Sequence, residues 1–310
     1  MQRPFRFGVQ ANRADTAAAW RDLARRVEGA GYDVVTMPDH FTDQLAPVPA
    51  LMSAADATTT LRVGALVWDN DYRHPVVLAK ELATLDLLSE GRLELGLGAG
   101  WMISDYEQAG LPYDGPGVRI DRMVEGLHVI RRCFAGEPFD FEGTHYRITG
   151  YSGQPRPAQQ PSPPVLIGGG GRRMLSVAAQ HADIVGINAN MRAGVVGPDA
   201  FDSMTAASVD DKVTWARQQA GDRVDQIEWN IRAFLVNVTD HPDQAIEAIA
   251  SALSVAPEVV RYSPFALIGP PDQLVDTLLE RRQRWGFSYV IVGAEDVDSF
   301  APVVARLAGR

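Results

Sequence analysis

Short apolar runs alternate along the chain with longer segments of helical periodicity. In segment 75–89, for example, Leu78, Leu82 and Leu85 follow the i, i+4, i+7 spacing of one helical face. Strands that each precede a helix favour a parallel sheet, because parallel neighbours need a long crossover connection. We therefore predict an α/β fold, a single-domain (β/α)8 TIM barrel over residues 1–310, with a doubly wound sheet as the alternative. The predicted strands are 5–11, 33–38, 61–68, 92–98, 165–168, 183–187, 228–238 and 289–293.

Extra segments interrupt this alternation, and we place insertions after predicted strands four, five, six and seven. Residues 137–148 predict a β-hairpin around Glu142-Gly143. The stretches 149–164 and 188–205 are rich in turn-forming residues and predict loops. Active sites of such barrels lie at the carboxyl ends of the strands, so side chains that follow the strands are the candidates for chemistry.

Charge and composition narrow the class of protein. The net charge of −10 argues against nucleic acid or an anionic membrane as the main partner. No apolar run reaches the roughly 18 residues of a membrane span, and the N-terminus lacks the apolar core of a signal peptide. We expect a cytoplasmic enzyme that acts on a small molecule. The single cysteine, Cys133, excludes an intramolecular disulfide and is predicted to be a buried hydrophobe.

Asp39 and His40 directly follow predicted strand two. A histidine at a strand end can give or take a proton near neutral pH, and a carboxylate can orient its ring. Adjacent residues do not normally point the same way, so the alternative is a polar pair that serves a turn. We interpret the two residues as candidate catalytic groups.

Asp69 and Asp71 follow predicted strand three and could bind a metal. No third ligand is visible at a suitable spacing, so we expect no metal site. His74 precedes Pro75, a helix-start signal, and is predicted to cap that helix.

Consecutive glycines followed by two arginines form the best candidate anion site. Glycines let backbone N–H groups approach a ligand, a helix N-terminus favours negative charge, and arginine stays charged. The alternative is a flexible loop with solvated arginines. The residues are Gly168, Gly169, Gly170, Gly171, Arg172 and Arg173.

Three aromatic residues near strand ends, Phe41, Trp68 and Trp101, predict an apolar pocket wall that suits a planar ring. Each of them alone is more often a core residue than a ligand contact.

Three stretches, 31–41, 73–101 and 163–187, resemble the luciferase-like monooxygenase superfamily of flavin and deazaflavin oxidoreductases. The resemblance covers nearly the whole chain and is strongest to the branch that uses coenzyme F420. It implies a cofactor ring that rests against a strand-three bulge with a non-prolyl cis peptide, by position Ala65-Leu66 or one residue away. It also implies that Asp39 and His40 lie at the reactive face and that Gly168–Arg172 holds the cofactor phosphate.

One position departs from this branch. Its sugar-phosphate dehydrogenases carry a glutamate after the strand-four glycines, where this chain has Trp101, which implies a more apolar pocket. We expect an F420-dependent oxidoreductase that transfers a hydride between deazaflavin C5 and an organic substrate. His40 would exchange the proton, oriented by Asp39 or another group. The alternatives are an FMN-dependent monooxygenase and a flavin- or deazaflavin-binding protein without turnover. The resemblance also implies a homodimer.

Overall fold

A closed barrel of eight parallel strands forms the centre of the fold in the computed structural model, which describes residues 3–310. The barrel order is β3-β2-β1-β13-β10-β9-β8-β5, and pairing of β5 with β3 closes it. The short β4 continues β3 and also pairs with β5. The strands are β1 (Arg6–Gln10), β2 (Val34–Met37), β3 (Arg62–Ala65), β4 (Trp68–Asp69), β5 (Leu93–Gly98), β6 (Phe139–Glu142), β7 (Arg147–Tyr151), β8 (Val165–Gly169), β9 (Ile184–Ile187), β10 (Glu228–Arg232), β11 (Leu235–Val238), β12 (Ala266–Gly269) and β13 (Phe287–Gly293).

Helices surround the barrel and bury its outer face. Their inward side chains form one large apolar cluster with the strands, as expected for a sheet that is covered by helices. The helices are α1 (Ala17–Gly29), α2 (Pro47–Asp56), α3 (Pro75–Leu88), α4 (Ile103–Ala109), α5 (Pro116–Ala135), α6 (Arg172–His181), α7 (Pro198–Asp202), α8 (Ala206–Ala220), α9 (Pro242–Leu253), α10 (Pro257–Arg261), α11 (Pro271–Trp285) and α12 (Val297–Leu307).

Charged side chains lie inside the barrel near the amino ends of its strands. The Arg6 guanidinium donates two hydrogen bonds of 2.8 Å to Glu228, pairs with Glu94, and lies 3.8 Å from the ring centre of Tyr289. Burial raises the pKa of Glu94, but the Arg6 and Arg62 guanidiniums outweigh it and hold the pKa below its usual value. The paired charges close this end of the barrel, so the opposite, carboxyl end is left for a ligand.

Three excursions interrupt the alternation of barrel strands and helices. The first, after β5, contains α4 and, beyond α5, the β6–β7 hairpin; the second, after β9, contains α7; the third, after β10, contains β11, α9, α10 and β12. The predicted insertion after strand five is wrong. Only Gly170 and Gly171 separate β8 from α6, and the turn-rich stretch 149–164 precedes that strand rather than following it.

The predicted strand 228–238 is two strands. β10 ends at Arg232, and after two residues β11 pairs with β12 in a separate small sheet. The partner strand β12 lies in the segment 263–269, for which the sequence analysis predicted no strand. A continuous apolar pattern identifies the extended backbone but not the change of partner strand.

Several local predictions are confirmed. The His74 side chain accepts a hydrogen bond from the Val76 N–H at the start of α3, so it caps that helix. Cys133 is buried in α5, and burial raises the pKa of its thiol to about 11. Among residues 3–310, no helix combines the length and the apolar character that crossing a bilayer requires.

Candidate active site

A cavity of about 450 Å³ opens at the carboxyl ends of the barrel strands. Its floor comes from residues that end or closely follow the barrel strands β1, β2, β3, β5, β9 and β10. Its cover comes from the second and third excursions. The floor includes Gln10, Pro38, His40, Leu66, Trp101 and Arg232. The cover includes Met191, Val196, Phe201, Phe234, Leu253 and Val259.

His40 lies on the cavity wall with one ring nitrogen held by a buried acid. Its Nδ1 is 2.6 Å from Oδ2 of Asp105 in α4, and the same oxygen accepts a 2.9 Å hydrogen bond from the Tyr72 hydroxyl. The other oxygen, Oδ1, accepts from the Phe41 N–H at 3.4 Å. An ionised carboxylate only accepts hydrogen bonds, so Nδ1 carries the hydrogen and Nε2 is the nitrogen that can exchange a proton.

The turn before α4 requires a glycine to bring Asp105 to His40. Gly100 has φ 73°, and a Cβ there would lie 1.8 Å from the Tyr106 hydroxyl oxygen. Only glycine combines this left-handed backbone with so close an approach. Trp101 follows, and its ring meets the His40 ring edge-on with centroids 5.6 Å apart.

Asp39 does not orient His40. Its carboxylate accepts two hydrogen bonds from the Arg73 guanidinium, at 2.6 and 3.1 Å, and one from the Asp69 N–H at 3.2 Å. Asp39 is buried, and its two oxygens are occupied by these partners. A carboxylate does orient the His40 ring, but it is the carboxylate of Asp105. Asp39 instead links the ends of β2 and β4.

The two candidate metal ligands have protein partners. Asp69 accepts hydrogen bonds from the Asp71 N–H at 2.9 Å and from the Tyr106 hydroxyl at 3.1 Å. Burial, reinforced by the nearby Asp71 charge, raises the pKa of Asp69 to about 7. Asp71 forms a two-pronged ion pair with Arg122 at 2.7 and 2.9 Å. These contacts fasten the loop after β4 to α4 and α5.

The strand-three bulge is present, and its cis peptide lies within the predicted range of one residue. The cis peptide joins Leu66 to Val67 rather than Ala65 to Leu66. Ala65 ends β3 and is buried, whereas Leu66 lines the cavity, and its carbonyl accepts a 3.3 Å hydrogen bond from Gln10 Nε2. Leu66 is therefore the residue of this bulge that a bound ring can touch.

The glycine run links β8 to α6. Gly168 and Gly169 are the last residues of β8, and a Cβ on Gly170 would lie 2.1 Å from the Ala189 carbonyl oxygen. Gly171, in contrast, faces open space. Apart from its chain neighbours, no described atom lies within 4 Å of the position that a Cβ would occupy there. This open cradle at the first turn of α6 fits a phosphate group.

The two arginines after the glycines differ in their partners. Arg172 is exposed and forms no ion pair with residues 3–310, although its guanidinium lies 5.9 Å from the Trp215 ring centre. Arg173 is also exposed, and its Nη2 is 2.5 Å from an Asp121 carboxylate oxygen. Of the two, Arg172 has the charge that is free to meet an anion at Gly171.

Only one of the three expected pocket aromatics lines the cavity. Trp101 does so. Trp68 is 0% exposed and packs in the core, because β4 turns its side chain away from the mouth of the barrel. Phe41 lies outside the cavity and is 49% exposed. Its ring packs at a tilt against that of Tyr72, with the ring centroids 4.4 Å apart. The pocket assignments of Trp68 and Phe41 are thereby corrected.

Two residues of the site had no prediction. Asp105 lies in α4, a short helix that the sequence analysis did not predict. Arg232 lay inside predicted strand 228–238, and only its position as the last residue of β10 reveals it as a strand-end group. A shorter predicted strand seven would have identified Arg232 as a candidate.

A buried amine fixes the second excursion to the barrel. Lys212 in α8 donates to the carbonyl oxygens of Asn188, at 2.9 Å, and Ser203, at 2.5 Å. Burial lowers the pKa of Lys212 to about 8. Asn188 directly follows β9, and Ser203 follows α7, so one side chain spans the base of the cavity cover.

The fold and the cavity are those of a (β/α)8 barrel enzyme, and comparison with known proteins gives the same class. A model of the luciferase-like monooxygenase family matches residues 3–253. The chain is 25% identical over 265 residues to an FMNH2-dependent dimethylsulfone monooxygenase of Pseudomonas putida, covering 82% of this chain and 69% of that protein. It is 26% identical over 298 residues to a 5,10-methylenetetrahydromethanopterin reductase of Archaeoglobus fulgidus, covering 86% of each.

A solved structure shares the fold. The coenzyme F420 dependent tetrahydromethanopterin reductase of Methanopyrus kandleri superimposes with a TM-score of 0.77 over 98% of each chain, at 19% sequence identity. The protein described here belongs to the luciferase-like monooxygenase family. Its relatives use F420 or FMN, and the F420-dependent oxidoreductases and the flavin monooxygenases are both represented among them.

Proposed function

We propose that this protein is an F420-dependent oxidoreductase that transfers a hydride between deazaflavin C5 and a small organic substrate. The observation that carries the proposal is the His40–Asp105 pair on the cavity wall. Hydride transfer to or from a carbon that bears oxygen needs a partner that moves one proton, and a histidine with a fixed tautomer is suited to that task. A deazaflavin, which has carbon in place of flavin N5, supplies hydride chemistry rather than oxygen activation.

The proton is handled by His40. In the direction of alcohol oxidation, Nε2 takes the hydroxyl proton while the hydride leaves the same carbon. In reduction, Nε2 returns the proton to the carbonyl oxygen. Asp105 holds Nδ1–H throughout and stabilises the imidazolium that forms, and Tyr72 keeps the Asp105 carboxylate in place. Burial, then the Asp69 charge, raises the pKa of Tyr72, so its hydroxyl stays a donor.

The cofactor would be held at two places. Leu66, with Ala65 behind it, would support the ring at the strand-three bulge. Gly171 and Arg172 would meet the phosphate at the start of α6, where the cradle is open. Gly168, Gly169, Gly170 and Arg173 would shape this turn, although the Arg173 charge is already paired with Asp121.

A second candidate is an FMN-dependent monooxygenase fed by a separate reductase. The apolar cover of the cavity favours it, because oxygen chemistry on a flavin needs a pocket from which water is excluded. The similarity to the dimethylsulfone monooxygenase supports the same candidate. A third possibility is a binding protein without turnover.

Cofactor titration separates the candidates. The purified protein is titrated with F420, FMN and FAD while fluorescence quenching is followed. F420 binding at micromolar concentration without FMN binding supports the proposal, whereas FMN binding alone overturns it in favour of the monooxygenase. Binding of F420 without hydride exchange across a panel of alcohols and ketones identifies a binding protein.

We also propose an oligomeric state and a location in the cell. The resemblance to the family suggests a homodimer, which light scattering during gel filtration tests through the molar mass. A cytoplasmic location is tested by fractionation of the source cells.

A further inference from the structure

The cavity is an apolar enclosure that contains a single permanent charge. Its cover is built from methionine, valine, leucine and phenylalanine side chains. Among the lining residues that the structure describes, Arg232 alone is always charged, while the other polar groups include Gln10, Asn188 and Ser263. Such a surface selects a ligand with an apolar body and one group that complements a cation.

Arg232 is held by a hydrogen bond at one nitrogen, and its guanidinium carbon lies 5.3 Å from the ring centre of Phe234. Its Nε donates a 3.0 Å hydrogen bond to Oε1 of Gln10, the last residue of β1. Its Nη1 is buried without a hydrogen-bond partner, and the guanidinium makes no other hydrogen bond to residues 3–310. The carboxylates of Glu295 and Asp296 attract the guanidinium electrostatically, but neither lies within 4.0 Å of it, the distance of an ion pair.

Two other half-buried arginines have their guanidinium groups held by neighbours. Arg73 forms a two-pronged ion pair with Asp39. Arg281 donates to three backbone carbonyl groups of the third excursion. A half-buried cation with an unsatisfied nitrogen, Nη1, lowers stability, so its presence at the cavity floor is explained best by a ligand that completes its hydrogen bonds.

We infer that the substrate of this cavity is an apolar organic oxyanion, such as a carboxylate, whose charged head binds the Arg232 guanidinium. This inference rests on the proposed function, because it names the class of substrate for the same site. The planar guanidinium matches the two oxygens of a carboxylate, and Gln10 fixes its orientation through Nε. Arg232 and His40 line one cavity, so a substrate anchored at Arg232 presents its apolar body to the reactive wall.

Isothermal titration calorimetry of the protein without cofactor tests this inference. The probes are octanoate, its neutral counterpart octanamide, and acetate, which lacks the apolar body. We expect octanoate to bind about tenfold or more tightly than octanamide, because only octanoate forms a charge-assisted pair with Arg232. Acetate should bind more weakly than octanoate by at least about tenfold, because it buries little apolar surface. Equal affinity for octanoate and octanamide, or no binding of either, overturns the inference.

Two matched variants locate the interaction. Arg232→Met keeps the length and the apolar stem and should raise the octanoate Kd about tenfold while leaving octanamide binding little changed. Arg192→Met removes an exposed arginine from the second excursion and should leave both affinities unchanged. Arg232→Met should also raise the Tm of the protein, since it removes a half-buried charge that has no ion-pair partner among residues 3–310, and this measurement shows that the variant is folded. An octanoate Kd that Arg232→Met does not change overturns the inference.

The outcomes separate this inference from the proposed function. If Arg232→Met abolishes F420 or FMN binding but not octanoate binding, Arg232 contacts the cofactor, and the inference fails while the proposed function stands. If the octanoate results are as expected but neither F420 nor FMN binds, the proposed function fails and the oxyanion site stands.

Discussion

The imidazole Nδ1 of His40 lies 2.6 Å from the carboxylate oxygen Oδ2 of Asp105, although 65 residues separate them along the chain. His40 follows β2 and Asp105 lies in α4, so the pair forms only when the barrel brings two strand ends together. The contact fixes which ring nitrogen faces the cavity, and the first two predictions depend on it.

Replacement of His40 tests its role as the proton carrier. His40→Ala should lower kcat by about 10²–10⁴, the usual contribution of general acid–base catalysis, and leave cofactor affinity within a few-fold. Steady-state kinetics and a fluorescence titration of the cofactor measure the two quantities. Unchanged turnover would remove His40 from the mechanism.

Asp105→Asn tests Asp105 as a positioning residue. The amide can donate to Nδ1, which favours the tautomer with the wrong nitrogen protonated, so kcat should fall about 100-fold with KM changed little. Glu107→Gln, an exposed neighbour in α4, is the control and should behave like the parent protein. A variant that raises KM and leaves kcat intact would show that Asp105 shapes the pocket instead.

The two arginines after the glycine run should differ in cofactor binding. Arg172→Ala should weaken binding about tenfold, because its charge is unpaired at the open start of α6. Arg173→Ala should have a smaller effect, since Arg173 is paired with Asp121 at 2.5 Å. Dissociation constants from the fluorescence titration compare the two variants directly, and equal losses would contradict the assignment.

Asp69 makes stability depend on pH. Burial raises the pKa of Asp69 to about 7 in the folded protein, whereas the unfolded chain releases this proton near its ordinary value of 3.8. Folding therefore takes up a proton between these two pH values, and the stability contribution of this group is lost as pH rises through that window. The cost above neutral pH is of the order of a few kcal/mol.

Asp69→Asn removes this cost and keeps an oxygen to accept the Asp71 N–H. The Tm of the variant relative to the parent protein should therefore rise by several degrees from about pH 5 to about pH 8. Asp211→Asn, an exposed carboxylate in α8, is the control and should show no such trend. A Tm difference that is independent of pH would mean that Asp69 is ionised throughout.

The fold could be predicted because its signals are local. The spacing of Leu78, Leu82 and Leu85 identifies α3, and short apolar runs identify the strands without knowledge of their partners. The cis peptide could be predicted only to within one residue, because position alone, without the bulge geometry, indicated it.

The site could be predicted only in part, because its key contacts are distant in sequence. His40 was identified from its strand end, but its partner Asp105 and the unpaired Arg232 depend on tertiary contacts. Trp68 was misplaced because a residue near a strand end can face either the cavity or the core, and only the direction of β4 decides between them.

The cavity floor and cover belong to different parts of the chain. His40 follows β2 at the rim of the barrel and Asp105 lies in the first excursion, whereas the apolar cover is carried by the second and third excursions. Lys212 fastens the second excursion through backbone carbonyls, which any sequence supplies. Because separate segments carry the cover and the His40–Asp105 pair, exchange of the cover segments between relatives should change which ligands bind while the pair is kept.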